Sequence, residues 1–80
     1  MYYIYIIKSL SSERYYIGQT NNLEIRLKRH NDNNVTATKN RGPWEIVHFE
    51  EYQTRSEAMQ RERYFKSLKS RKSIEKLFLA

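Results

Sequence analysis

Two groups that can carry positive charge occupy the inner face of a predicted helix. Four residues recur at i, i+3, i+4 and i+7 and so share one helical face: Leu23, Arg26, Leu27 and His30. A helix packed on a core normally keeps that face apolar. An Arg and a His at these places therefore predict a binding site for an anion beside the core.

A carboxylate stands on the inner face of a second predicted helix. Glu62 lies at i+4 in an apolar series formed by Ala58, Phe65 and Leu68. A buried carboxylate is costly unless it is paired or bound to a metal, so two interpretations follow. Glu62 forms a buried salt bridge with Arg26, or it binds Mg²⁺, which takes one or two carboxylates and completes its shell with water and phosphate oxygens.

The elements that must hold these residues predict a single α+β domain over residues 1–80. Residues 2–8 and 14–20 are rich in Ile and Tyr and are separated by a polar turn, which indicates a β-hairpin. The first strand is apolar on both faces and is expected to lie in the middle of its sheet. A third strand over residues 44–52 completes a predicted three-stranded antiparallel sheet flanked by helices.

The hairpin register decides which tyrosines lie together. With a turn over residues 9–12, Lys8 is expected to face Glu13. Tyr5 is then expected to face Tyr16, which places both side chains and Gly18 on one face of the hairpin. A slip of one residue would separate them.

Local signals predict three helices. The first is expected over residues 22–31, where Asn residues precede the apolar period. The second begins at a Thr54-x-x-Glu57 capping box and runs to about residue 68. Ser70 or Ser73 caps a short last helix that ends at residues 77–79.

Two short motifs in the hairpin carry a resemblance to a known family. Residues 3–5 read YIY and residues 16–18 read YIG. With Arg26, His30 and Glu62 in order behind them, the chain resembles the GIY-YIG nuclease superfamily. Within it, the chain is similar to the small stand-alone domains related to the N-terminal nuclease domain of the bacterial repair excinuclease.

One further motif supports the resemblance, and two positions depart from the family pattern. Tyr3 stands where the family name has Gly. The GPW triplet at residues 42–44 is similar to that of small structure-specific relatives. Many members have an Asn after the metal-binding Glu, and no Asn follows Glu62 in this sequence.

The resemblance implies a divalent-metal-dependent endonuclease that hydrolyses phosphodiester bonds in DNA, in repair or recombination. Tyr5 would be the general base for the attacking water, and Tyr16 would orient it. Arg26 would hold a phosphate oxygen, His30 would relay the proton or bond the phosphate, and Glu62 would bind Mg²⁺ or Mn²⁺. Tyrosines are also common strand residues, and a tyrosine with a pKa near ~10 is a poor base at neutral pH.

The charge of the chain suits a polyanionic partner. The sequence has 15 basic and 9 acidic residues, a net charge of +6, and residues 55–80 are its most basic part. Residues 32–41 are polar and predict an exposed loop with two further basic residues. The predicted DNA contacts are Lys28, Arg29, Lys39, Arg41, Arg61, Lys66 and Lys69. Many basic proteins bind no nucleic acid, so charge alone leaves both interpretations open.

Composition excludes several other classes of site. The sequence has no Cys, so disulfides and thiolate metal sites are excluded. No signal sequence opens the chain and its longest apolar run is too short to span a bilayer, which predicts a cytoplasmic protein with no membrane partner. Two alternatives to an autonomous nuclease stand: a nucleic-acid-binding module of the same fold, and a subunit whose activity or specificity depends on a partner protein.

Overall fold

A computed structural model describes residues 1–68 and 70–78 of the chain. Its sheet has three antiparallel strands: β1 (Tyr2–Ser9), β2 (Tyr15–Thr20) and β3 (Trp44–Tyr52). The order across the sheet is β2-β1-β3, so the strand that is apolar on both faces lies in the middle, as predicted. The α+β class and the three-stranded antiparallel sheet are confirmed.

The hairpin between β1 and β2 has a longer turn than predicted. Tyr5 pairs with Gly18, so both predicted strand pairs are wrong by two residues. The turn closes through Glu13, which has a left-handed backbone (φ 60°) and donates its amide to the Ser9 carbonyl at 2.9 Å. A shift of two residues preserves the alternation of faces, so Tyr5, Tyr16 and Gly18 still share one face.

Each helix begins at a residue whose side chain accepts a backbone N–H. Asn22 caps α1 (Leu23–Asn31), Thr54 caps α2 (Arg55–Ser67) and Ser70 caps α3 (Arg71–Glu75). The predicted helix starts are confirmed, with Ser70 rather than Ser73 as the last cap. The last helix ends at Glu75, earlier than the predicted residues 77–79, and Leu79 itself lies outside the described residues. Within the described ranges no helix is long and apolar enough to cross a membrane.

The two faces of the sheet carry separate cores. On one face, the side chains of Ile4, Ile6, Ile17 and Phe65 are buried together, and α2 and α3 pack against them. On the other face, the buried group is Tyr5, Ile7 and Trp44, with Leu23 and Leu27 of α1 packed on it. The sheet is therefore covered by α1 on one side and by α2 and α3 on the other.

The segment between α1 and β3 is exposed over most of its length, as predicted, but it is partly ordered and has one buried residue. It contains a short 3₁₀ turn over Thr36–Thr38, and Thr38 is only 1% exposed. A polar residue is tolerated there because its atoms have partners. The indole Nε1 of Trp44 donates to the Thr38 carbonyl at 3.4 Å, and the Thr38 hydroxyl contacts a histidine of α1.

An ionic cluster fastens α2 to β3. Arg61 donates to both carboxylate oxygens of Glu50, at 2.8 and 3.3 Å, and its guanidinium lies 4.6 Å from the centre of the Phe65 ring. His48 and Tyr52 also donate to Glu50. Burial disfavours the charged carboxylate, but these three donors outweigh burial and lower the pKa of Glu50 to about 2.

We expect Glu50→Gln to lower the free energy of unfolding by about 1–3 kcal/mol, because Arg61 is left without its charged partner. The pKa of Glu50 is lower in the folded state than its ordinary 4.5, so its contribution is present above about pH 4.5 and is lost as the pH falls toward about 2. Chemical denaturation across that range measures both effects. Glu45→Gln, an exposed change on the same strand, is the matched control and should be nearly neutral.

Candidate active site

Two of the predicted site residues, Arg26 and His30, meet at the hydroxyl of Tyr5. His30 Nε2 lies 2.9 Å from it, and Arg26 Nε donates to it at 3.1 Å. Tyr5 is 1% exposed and His30 is fully buried, whereas Arg26 is half-buried at the edge. The inner face predicted for α1 is confirmed, and it delivers an arginine and a histidine to one buried hydroxyl.

Gly18 provides the space in which the Tyr5 ring lies. It is the strand partner of Tyr5, and a Cβ at this position would come within 2.5 Å of the Tyr5 hydroxyl oxygen and 2.7 Å of Cζ. Contacts that short would force the ring to move. The glycine is therefore required by close approach and not by an unusual backbone angle.

The other ring nitrogen of His30 forms a hydrogen bond with a residue of the segment that follows α1. His30 Nδ1 lies 2.7 Å from the Thr38 hydroxyl, which in turn reaches the Val35 carbonyl at 3.5 Å. A consistent hydrogen-bond pattern has Thr38 donating to Val35 and accepting from Nδ1–H, which leaves Nε2 to accept the Tyr5 proton. Nothing local in a polar Asn/Thr-rich segment identifies Thr38 as the residue that orients a histidine.

Both members of the Tyr5–His30 pair are neutral at rest. Burial, assisted by the positive charge of Arg26, lowers the pKa of His30 to about 4. Burial also raises the pKa of Tyr5, although the hydrogen bond from Arg26 opposes that shift. Near pH 7 the hydroxyl therefore keeps its proton and the imidazole remains free to accept it.

Tyr16 completes the group on this face of the sheet. Its ring is half-buried and packs edge-on against His30, with 5.1 Å between ring centres. It also lies close enough to Arg26 to help raise the pKa of that guanidinium, after the larger effect of Tyr5. The structure thus brings together Tyr5, Tyr16, Arg26 and His30.

Glu62 lies on α2, the helix that packs on the other face of the sheet, and its side chain contacts the edge strand β2. Its side chain is 18% exposed, Gln19 Nε2 donates to Oε1 at 3.4 Å, and Lys66 Nζ lies 3.4 Å from Oε2. The interpretation of a salt bridge between Glu62 and Arg26 is wrong, since Arg26 binds the Tyr5 hydroxyl instead. The charge of Glu62 still reaches Tyr5, where it adds to the effect of burial in raising the pKa.

The donor set around Glu62 limits the kind of metal site that this chain can form. Among the described residues no three His, Cys, Asp or Glu side chains come together around a point that could hold a metal. A single carboxylate suits Mg²⁺ or Mn²⁺ that keeps water and substrate phosphate as further ligands, and it does not suit a closed protein cage. Gln19, which touches this carboxylate, was not predicted because a strand glutamine gives no sequence signal.

The basic residues predicted to contact DNA fall into two groups. Three already have carboxylate partners in the fold: Lys28 with Asp32, Arg61 with Glu50, and Lys66 with Glu62. Three others are exposed on α1 and in the segment after it: Arg29, Lys39 and Arg41. Lys69 lies outside the described residues. Arg61 in particular serves to hold α2, which its position on a helix face did not reveal.

A three-stranded sheet on which tyrosine, arginine and histidine side chains converge matches one family of catalytic domains. The GIY-YIG catalytic domain family model matches residues 1–75, so the chain belongs to that family.

UPF0213 protein CPE1444 of Clostridium perfringens is 45% identical over 69 residues, which cover 85% of this chain and 73% of the relative. UPF0213 protein YazA of Bacillus subtilis is 40% identical over 72 residues, covering 89% and 72%. The solution NMR structure of UPF0213 protein BH0048 from Bacillus halodurans matches with a TM-score of 0.60 and 32% identity, covering 96% of this chain and 82% of that one.

His30 should make the fold sensitive to acid. Its pKa falls from 6.5 to about 4 on folding, so protonation favours the unfolded chain and stability is lost as the pH drops through that interval. We expect a loss of about 2–3 kcal/mol in the free energy of unfolding across it, measured by urea denaturation. His30→Gln is less stable at neutral pH but should have a shallower slope. An equal slope in both proteins would contradict the assignment.

Proposed function

We propose that this domain is a cytoplasmic, divalent-metal-dependent endonuclease that hydrolyses phosphodiester bonds in DNA during repair or recombination. The observation that carries the proposal is the Tyr5 hydroxyl, held between Arg26 Nε and His30 Nε2. A buried hydroxyl with a cation on one side and a neutral imidazole on the other can take a proton from water and pass one on. Membership of a catalytic domain family supports the proposal.

The resting charges determine how the proton moves. Burial raises the pKa of Tyr5 and lowers that of His30, so a proton transfer from one to the other before attack is unfavourable. The transfer becomes favourable as the attacking water loses its own proton to the Tyr5 oxygen. Tyr5 then gives its proton to His30 Nε2 in the same step, which is general-base catalysis through a short relay.

Arg26 has a second role on the phosphate side. Its Nε is used by Tyr5, and its guanidinium has further N–H donors in the same plane. These donors can hold a non-bridging phosphate oxygen and stabilise the charge that builds up in the transition state. Tyr16, half-buried beside Arg26, borders the place where that oxygen would lie and orients the water.

Glu62 is the residue that would hold Mg²⁺ or Mn²⁺. Its carboxylate is partly exposed, and its contacts with Gln19 and Lys66 are both 3.4 Å, long enough to be exchanged for a cation. When bound, the metal supplies Lewis-acid stabilisation of the phosphoryl oxygens. Gln19 would then orient one carboxylate oxygen, while the Lys66 ammonium would give up the other to the metal.

Removing single hydroxyls tests the roles of the tyrosines. We expect Tyr5→Phe to reduce the rate of DNA cleavage by about 10²-fold or more, because the relay loses its central group. It should also cost about 1–2 kcal/mol of stability, since Arg26 and His30 lose a partner. Tyr16→Phe should lose cleavage with little change in stability.

Tyr64→Phe changes a tyrosine that is 49% exposed on α2 and is the control. Equal cleavage rates in all three variants would return the tyrosines to packing roles.

Glu62→Gln tests the metal site. The change preserves shape, removes the charge and weakens one i,i+4 pair whose Lys66 end is exposed, so stability in EDTA should stay within about 1 kcal/mol. Mg²⁺ affinity and cleavage should be lost while DNA binding, followed by fluorescence anisotropy, persists. A folded Glu62→Gln protein that cuts DNA at the wild-type rate in Mg²⁺ would reject the metal role. Wild-type protein that binds DNA and never cuts it would instead favour a binding module.

A further inference from the structure

An aromatic groove opens on the face of the sheet that carries Tyr5. Its floor is Tyr3 of β1 and Phe49 of β3, which meet edge to face with 6.3 Å between ring centres. Phe49 is 54% exposed although it is a large apolar residue on a central part of its strand. The groove has a volume of about 530 Å³ and is walled by Asn21, Glu24 and Glu51, with other residues of the α1 start.

The groove adjoins the site through the register of the sheet. Phe49 is the strand partner of Tyr5 on β3, and Tyr3 lies two residues before Tyr5 on the same face. Helix α1 starts at Leu23, so it covers the sheet over Tyr5 and leaves the Tyr3–Phe49 end open. An occupant of the groove would therefore lie against the first turn of α1, at Leu23 and Glu24, about one helical turn before Arg26.

The chemistry of the groove suits a nucleobase better than a phosphate. Its floor offers aromatic rings, on which bases of any sequence can stack. Its walls offer the carboxylates of Glu24 and Glu51, which repel phosphate but accept hydrogen bonds from the amino groups of bases. The aromatic floor depends in part on Tyr3, which occupies the position of Gly in the name of the family.

We propose that this groove binds an unpaired nucleobase, stacked on Phe49, next to the phosphate that Arg26 contacts. The proposal deepens the nuclease function proposed above and rests on it for the identity of the ligand. A base inside a duplex has both faces stacked and its edge paired, so it cannot enter. The substrate class is accordingly DNA with single-stranded nucleotides at the cleavage point. Because Glu51 lies two residues from Phe49 on the same face, a cytosine, whose N4 amino group donates two hydrogens, should be preferred to a thymine, whose O4 only accepts and whose one donor is N3–H.

Binding in EDTA tests the groove without any requirement for cleavage, so failure of the nuclease function would be seen separately. The probes are short fluorescent oligodeoxycytidine, oligodeoxythymidine of the same length, and a duplex. We expect Phe49→Ala to weaken binding of both single strands by roughly 10-fold, the effect of losing one stacked base. Phe49→Trp should restore binding, and its exposed indole should be quenched by the oligonucleotide. Tyr64→Ala, which removes an exposed aromatic ring on the other side of the sheet, should bind as wild type.

Glu51→Gln tests the base preference. Wild type should favour oligodeoxycytidine, and the variant should lose that preference because an amide can donate to thymine O4 as well as accept from cytosine N4. Unchanged single-strand binding by Phe49→Ala, or wild-type binding to duplex as tight as to single strands, would overturn the proposal. So would sedimentation showing that wild type is a dimer which Phe49→Ala dissociates, since a second copy of the chain would then occupy the groove. Equal affinity of wild type for the two oligonucleotides would reject the role of Glu51.

Discussion

The burial of one tyrosine hydroxyl constrains most of this small domain. Tyr5 is 1% exposed, so its oxygen must find hydrogen-bond partners inside the protein. Those partners, Arg26 and His30, both lie on α1. Their two bonds to one hydroxyl fix the position of this helix along the sheet and its rotation about its own axis. His30 is buried in turn and needs Thr38, which folds the following segment back against the core. The buried Tyr5 ring also requires Gly18, because any side chain at that position would displace the ring.

The edge strand β2 connects the two halves of the candidate site. Consecutive strand residues point to opposite faces, so Gly18 accommodates Tyr5 on the α1 side while Gln19 touches Glu62 on the α2 side. Arg61, the residue before Glu62, binds Glu50 of β3. This ion pair holds the turn of α2 that carries the Glu62 carboxylate. A displacement of α2 would thus move the candidate metal ligand relative to the tyrosine relay. The two polar clusters are thus connected in the structure through adjacent residues of one strand, Gly18 and Gln19.

Local patterns predicted the parts of this structure that depend on neighbours in sequence. The helix caps, the central position of β1 and the inner face of α1 follow from side chains within a few residues of one another. The hairpin register failed because a left-handed Glu13 lengthens the turn, and no residue type in that turn demands it. Thr38, Gln19 and the Glu50–Arg61 cluster were not found because each is defined by a partner distant in sequence. For Glu62, the apolar series gave the correct helix face, but only the three-dimensional contacts separated Lys66 and Gln19 from Arg26 as partners.

The distribution of charge then bears on how a nucleic-acid strand approaches. The fold already uses Arg61 and Lys66 in pairs with carboxylates, which reduces the attraction that α2 can offer to phosphates. Exposed cations on the α1 side of the sheet include Arg29, Lys39 and Arg41, while Arg55 and Arg63 remain exposed on α2. Helix α1 has 9 residues and spans roughly 13 Å, with the aromatic groove at its first turn, Arg26 near its middle and Arg29 near its end. If the proposals above hold, a strand lying along this helix would meet the aromatic groove, then Arg26, then Arg29. Backbone contacts of this kind would fix the position and direction of the strand without a base-reading motif, and sequence preference would come from the single base in the groove.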